Sequence, residues 1–88
     1  ETIAIEFHLS RGLAFAYQRK TEDVFVSELE GEPPIRRVVR KISGTFWFFR
    51  EISRYGKDCV IVSPEKVRSQ FRENLKTLSQ AYDLKIED

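Results

Sequence analysis

The chain has 88 residues, a formal net charge of +1 and an ordinary apolar share of 41%, values that fit one small globular domain and exclude a disordered segment. Fifteen Lys and Arg nearly balance fourteen Asp and Glu, and residues 1–44 carry seven of each sign, so the strongly basic composition of a nucleic-acid-binding domain is absent. No apolar run approaches the ~18 residues of a membrane helix, and Cys59, the single cysteine, excludes an internal disulfide or a cysteine-built metal site.

Ile3, Ile5, Phe7 and Leu9 alternate with Thr2, Ala4, Glu6 and His8. That period of two predicts a half-buried strand, placed mid-sheet by four large inward side chains. Ser10 offers a cap to a helix over residues 11–19, with Leu13, Ala14, Ala16 and Tyr17 on one side. A second strand is expected over residues 24–29. Glu30-Gly31-Glu32-Pro33-Pro34 is turn chemistry, and residues 35–42 form a third strand that pairs with the second as a hairpin. Phe46 to Tyr55 reads as a helix, with Phe48, Ile52 and Tyr55 at i, i+4 and i+7, and Gly56 in the left-handed position that stops it. Residues 58–62 are a short apolar strand, within which Cys59 is expected as a buried structural thiol. Ser63 is expected to cap the last helix and Pro64 to occupy its first turn. Val67, Phe71, Leu75, Leu78 and Tyr82 then recur at helical spacing.

The order β-α-β-β-α-β-α predicts an α+β fold, a ferredoxin-like split βαβ sandwich with an added C-terminal helix. The expected strand order is 4-1-3-2, both core helices on one face. The domain is placed at residues 1–82, with a polar tail at residues 83–88. The abrupt start on Glu1 is read as that of an excised piece of a longer protein.

Nothing in the residues assembles a catalytic site. His8 is the only histidine, on the polar register of the first strand, and no Cys or His completes a zinc set. No phosphate-binding glycine pattern occurs. No enzyme activity, cofactor or metal is expected. The feature that draws notice is Arg36, Arg37, Arg40 and Lys41, four cations within six residues of one strand. Alternation puts Arg36 and Arg40 on one face and Arg37 and Lys41 on the other, so one pair must lie near the core or its edge. Cross-strand pairing to Glu6, Glu28 and Glu30 is the simplest account of them; an anion or nucleic-acid contact on the open sheet face is the alternative, although the stacking aromatics of an RNA-binding sheet are missing from the third strand. Trp47 falls beside the apolar face of its helix, as core-edge packing or as an interface anchor.

The helix end Arg54-Tyr55-Gly56, the strand Cys59-Val60-Ile61-Val62 and the following segment SPEKVRSQFRENLKTLSQAY together resemble the C-terminal extension of WYL-domain transcriptional regulators, the WCX domain. Pro64, Glu65, Val67, Arg68, Leu75 and Tyr82 sit where that family's pattern expects them. The turn Glu30 to Pro34 and the heavily aromatic Phe46 to Phe49 depart from it. The resemblance implies a bacterial, cytoplasmic regulator. Its other parts would be a helix-turn-helix that binds DNA and a WYL domain that senses an effector, and the extension would take part in homodimer contacts. On that basis Arg36, Arg37, Arg40 and Arg50 are expected to contact effector or nucleic acid, and Trp47, Phe71, Leu78 and Tyr82 to form an interface with the chain's own WYL domain or a second subunit. A small-molecule-binding ferredoxin-like module is the competing reading.

Overall fold

A computed structural model describes residues 1–83. The elements are β1 (Ile3–Leu9), α1 (Arg11–Ala16), β2 (Asp23–Val26), β3 (Arg36–Ile42), α2 (Phe46–Tyr55), a 3-10 turn (Gly56–Asp58), β4 (Cys59–Ser63) and α3 (Glu65–Ala81). The strands form one antiparallel sheet in the order β2-β3-β1-β4. This is the expected split βαβ arrangement: β1 and β3 are central, and each strand–helix–strand connection skips over one strand. The fold is ferredoxin-like, with α3 added after the last strand.

The sheet has one dry face. Ile5, Phe7 and Leu9 of β1 are fully buried, beside Val38 of β3 and Cys59 and Ile61 of β4. Helices cover them with Ala14 from α1, Phe48 and Ile52 from α2, and Val67 from α3. The Phe7 and Phe48 rings meet at 5.7 Å and Phe49 meets Phe71 at 5.2 Å, tying sheet to α2 and α2 to α3. Burying an aliphatic or aromatic side chain of this kind stabilises by about 1.5–3 kcal/mol, which a domain this small cannot spare. Ile3 departs from the expected inward set and is exposed.

Several boundaries shift, each for a tertiary reason. α1 stops at Ala16 rather than residue 19, because Tyr17 turns to extended backbone (φ −63°, ψ 134°). There its hydroxyl donates to Asp23 Oδ2 at 2.5 Å. The first helical residue, Arg11, is left-handed (φ 53°) and its guanidinium bonds Asp58 Oδ1 at 3.0 Å. β2 ends at Val26 rather than residue 29: the Ser27 N–H still donates to Arg37 O at 2.8 Å, but the reciprocal bond from the Arg37 N–H goes to the Ser27 Oγ, at 2.8 Å. Pairing returns only at an isolated Glu30–Ile35 bridge, across a turn in which Gly31 takes φ 85°, a conformation glycine adopts without steric cost. Ser63 belongs to β4, opposite Glu6, instead of capping α3. Pro64 holds the cap position, and its carbonyl accepts from Val67 and Arg68 N–H. α2 keeps its expected bounds, ended by Gly56 at φ 62°. Of the expected tail, residues 84–88 lie outside the described residues.

Candidate functional site

Strand pairing decides where the β3 cations go. Ile5 opposes Arg40 and Leu9 opposes Arg36, whereas Ala4 opposes Lys41 and His8 opposes Arg37. Opposed residues share a face, so Arg36 and Arg40 join the dry face and Arg37 and Lys41 the open one.

Arg40 is 4% exposed and satisfied on every side. Its Nε donates to Asp23 Oδ1 at 2.7 Å, its Nη1 to Glu51 Oε1 at 2.8 Å and its Nη2 to the Tyr17 hydroxyl at 2.7 Å. Tyr55 donates to Glu51 Oε2 at 2.6 Å, and the Lys20 backbone N–H donates to Asp23 Oδ2 at 2.8 Å. The guanidinium carbon lies 5.2 Å from the centre of the Phe7 ring and 6.0 Å from that of Phe48. Burial alone would push the cation toward neutrality, but hydrogen bonds to Glu51 and Asp23 outweigh it and hold Arg40 more firmly protonated than a free arginine. Burial likewise opposes charge on Glu51, yet the bonds from Arg40 and Tyr55 keep its carboxyl below the usual range. Burial, then the carboxylate each one serves, raises the Tyr17 and Tyr55 phenols above their ordinary value. Arg36 is also engaged: Nε donates to Ala14 O at 2.7 Å and Nη1 to Ser27 O at 2.8 Å.

Asp23, Glu51, Tyr17 and Tyr55 complete this cluster and were not anticipated from the sequence. One signal for them existed. Glu51 sits on α2 one turn after Phe48 and one turn before Tyr55, on the face that reads as buried, and Arg40 sits on the dry register of β3.

On the open face, Arg37 makes a forked pair with Glu30, 3.0 Å and 3.1 Å, and lies 5.3 Å from the centre of the Phe25 ring. The bond from Arg37 holds the Glu30 carboxyl below its usual range. Of the acids expected opposite the cations, Glu30 takes that place, and Glu6 instead bonds His8 at 2.8 Å. Lys41 is exposed.

The fourth predicted arginine lies elsewhere. Arg50, exposed on α2, sits 4.5 Å from the centre of the Phe46 ring and 6.0 Å from that of Trp47. Phe46 and Trp47 meet edge to face at 4.9 Å, and Trp47 is 76% exposed rather than packed at the core edge. With Phe49, Arg54 and Asn74 they line an open depression of about 740 Å³. The remaining interface candidates follow α3, whose apolar stripe leaves the core progressively: Val67 is 2% exposed, Leu75 42%, Leu78 57% and Tyr82 71%, with Phe71 packed against the core. Beside that stripe, between α3, the end of α2 and β4, runs a groove of about 470 Å³.

Burial foremost, with Glu51 nearby, pushes the Cys59 thiol up to about 12, so it is a protonated core group at neutral pH. Among the described residues no group of three His, Cys, Asp or Glu is placed to hold a metal ion, and no helix is long and apolar enough to cross a membrane. A family model, that of the WCX domain, matches residues 2–79. No curated protein matches the chain.

Proposed function

Because the chain belongs to the WCX domain family, the C-terminal extension of WYL-domain regulators, we propose that it serves as a non-catalytic regulatory and oligomerisation module in a cytoplasmic transcription factor of that kind. DNA would be bound by a helix-turn-helix elsewhere in the regulator, the effector sensed with the WYL domain, and the active form would be a homodimer. The observation that carries this reading is Trp47, which stands largely in solvent beside Phe46 and Arg50. A tryptophan held out of the core of so small a domain is suited to anchoring a partner. Trp47 and the exposed end of the α3 stripe (Leu78, Tyr82), backed by Phe71, form the contact surface for the regulator's own WYL domain or a second subunit in this reading. Arg50 and Arg37 meet effector or nucleic acid with accessible guanidinium groups, while Arg36 and Arg40 hold the shape of the sheet beneath. The domain proper extends over residues 1–82.

The test is Trp47→Ala in the full-length regulator. Assembly, followed by light scattering over a dilution series, weakens by about 2 kcal/mol, or roughly 30-fold, if Trp47 is an anchor. An unchanged dissociation constant removes the central support of the proposal.

A small-molecule regulatory module is the second reading, favoured by the groove along α3, whose volume lies within the usual range for ligand pockets, about 300–1,000 Å³. A ligand-dependent rise in thermal stability, abolished by Leu75→Glu, would favour it.

A further inference from the structure

The groove along α3 has a charge composition that the rest of the chain does not share. Overall the chain is balanced, with fifteen basic and fourteen acidic residues, yet the charged residues lining this groove are all cations: Lys57, Arg68 and Arg72. Lys57 and Arg72 have no ion pair among the described residues, and Arg68 has only an exposed 3.6 Å pairing with Glu65 on its own helix. The apolar wall consists of Phe71, Leu75 and Leu78. Along α3 the order is Arg68, Phe71, Arg72, Leu75, Leu78. Cations line the first half and leucines the second, over a wall of about 15 Å at helical rise.

We propose that this groove docks a short polypeptide segment presenting apolar side chains beside Asp or Glu, and not a second copy of the same groove. This rests on the reading of α3 as a contact face and names the chemistry of what it contacts. A two-fold contact sets a patch against itself. Groove on groove would therefore bring Lys57, Arg68 and Arg72 of both copies together with no acid in the lining of either groove, the like-charge arrangement that interfaces select against. An acidic segment replaces that repulsion with forked, charge-assisted bonds to Arg68 and Arg72. The shape of the groove also favours a polypeptide. A pocket built for a small molecule covers about 70–90% of its ligand, whereas Leu75 and Leu78 stand half out on an open wall, the way a groove presents itself to an amphipathic segment.

The experiment places a photo-crosslinking benzoylphenylalanine at position 78 of the purified full-length protein, where the native leucine is exposed, and maps the products by mass spectrometry. A control probe at Gln70, which lines a different depression, sets the background. The expected product joins position 78 to an Asp- or Glu-bearing apolar segment outside this domain, and its yield falls at least fivefold in R68Q/R72Q. Three results overturn the proposal while leaving α3 a contact face: a product with position 78 or its neighbours in a second copy, a product on a segment without acidic residues, or a yield that R68Q/R72Q does not change. A product with a co-purified small molecule overturns it in favour of the ligand-binding module. A yield no higher than from Gln70 overturns both the proposal and the contact-face reading of α3.

Discussion

Arg40 and Arg50 lie ten residues apart, and each is set over a pair of aromatic rings: Arg40 over Phe7 and Phe48, Arg50 over Phe46 and Trp47. Their surroundings differ in every other respect. Arg40 is buried with two carboxylates and a phenol; Arg50 is exposed and has no ion pair among the described residues. A cation over a ring therefore says little by itself about what an arginine is for. Inside, the guanidinium is one part of a charge-compensated cluster whose members depend on each other, because a buried ion without its partner is costly. Outside, water and salt screen the charge, and the ring contact supplies about 0.5–1 kcal/mol, leaving the group available to something else.

Arg40→Met tests this contrast most severely. It strands Asp23 and Glu51 and is expected to cost about 3–5 kcal/mol in urea denaturation, much of the stability of a small domain. Arg50→Met stays within about 0.5 kcal/mol of wild type. Equal losses from the two substitutions would show the contrast to be false. Next comes acid. Glu51 has a folded pKa below that of the unfolded chain, so its contribution is fully present above the unfolded carboxyl pKa and is lost as pH falls through the lower folded one. The denaturation midpoint should therefore fall below about pH 4, and Glu51→Gln should flatten that limb. An acid limb as steep in Glu51→Gln as in wild type would assign the loss to other carboxylates.

Cys59 sharpens the comparison without any charge change. Its thiol, held up to about 12 and buried, should react with a disulfide reagent only when the core opens. The labelling rate then rises strongly in Arg40→Met and stays at the wild-type value in Trp47→Ala; fast labelling of the native chain would mean that the cluster does not close the core. Arg37→Ala is the smallest expected effect. The Arg37–Glu30 pair is exposed, and its loss should leave the urea midpoint close to the wild-type value. A larger loss would make the hairpin end as dependent on charge as the core.

The same contrast explains which parts of the molecule were readable in the sequence. Period and punctuation gave the order of elements, the sheet order and α2 to the residue, because Phe48, Ile52 and Gly56 are local signals. The sequence also foretold that one β3 pair of cations would lie near the core or its edge. It did not say what would receive them. Asp23 and Glu51 are 17 and 11 residues from Arg40, on elements whose faces become adjacent only when the sheet forms. The early end of α1 has the same origin, since Tyr17 leaves a helix-compatible stretch to reach Asp23. At the surface, the side of α2 on which Trp47 falls was legible, but not that nothing would cover it.

Helix α1 has a consequence for how the domain comes together. Six residues are too few for a helix to persist alone, and its opening residue, Arg11, is in a left-handed conformation that carries a cost of its own. Its N-terminal residue bonds Asp58, just before β4, and the Ala14 carbonyl accepts from Arg36 on β3. Both anchors come from parts of the chain that follow it by at least 22 residues. Helix α1 is in this sense a keystone, able to settle only after the arch around it has closed. Its amides should be the last of the helical set to gain protection in pulsed hydrogen exchange, and Arg36→Met should release them ahead of those in α2.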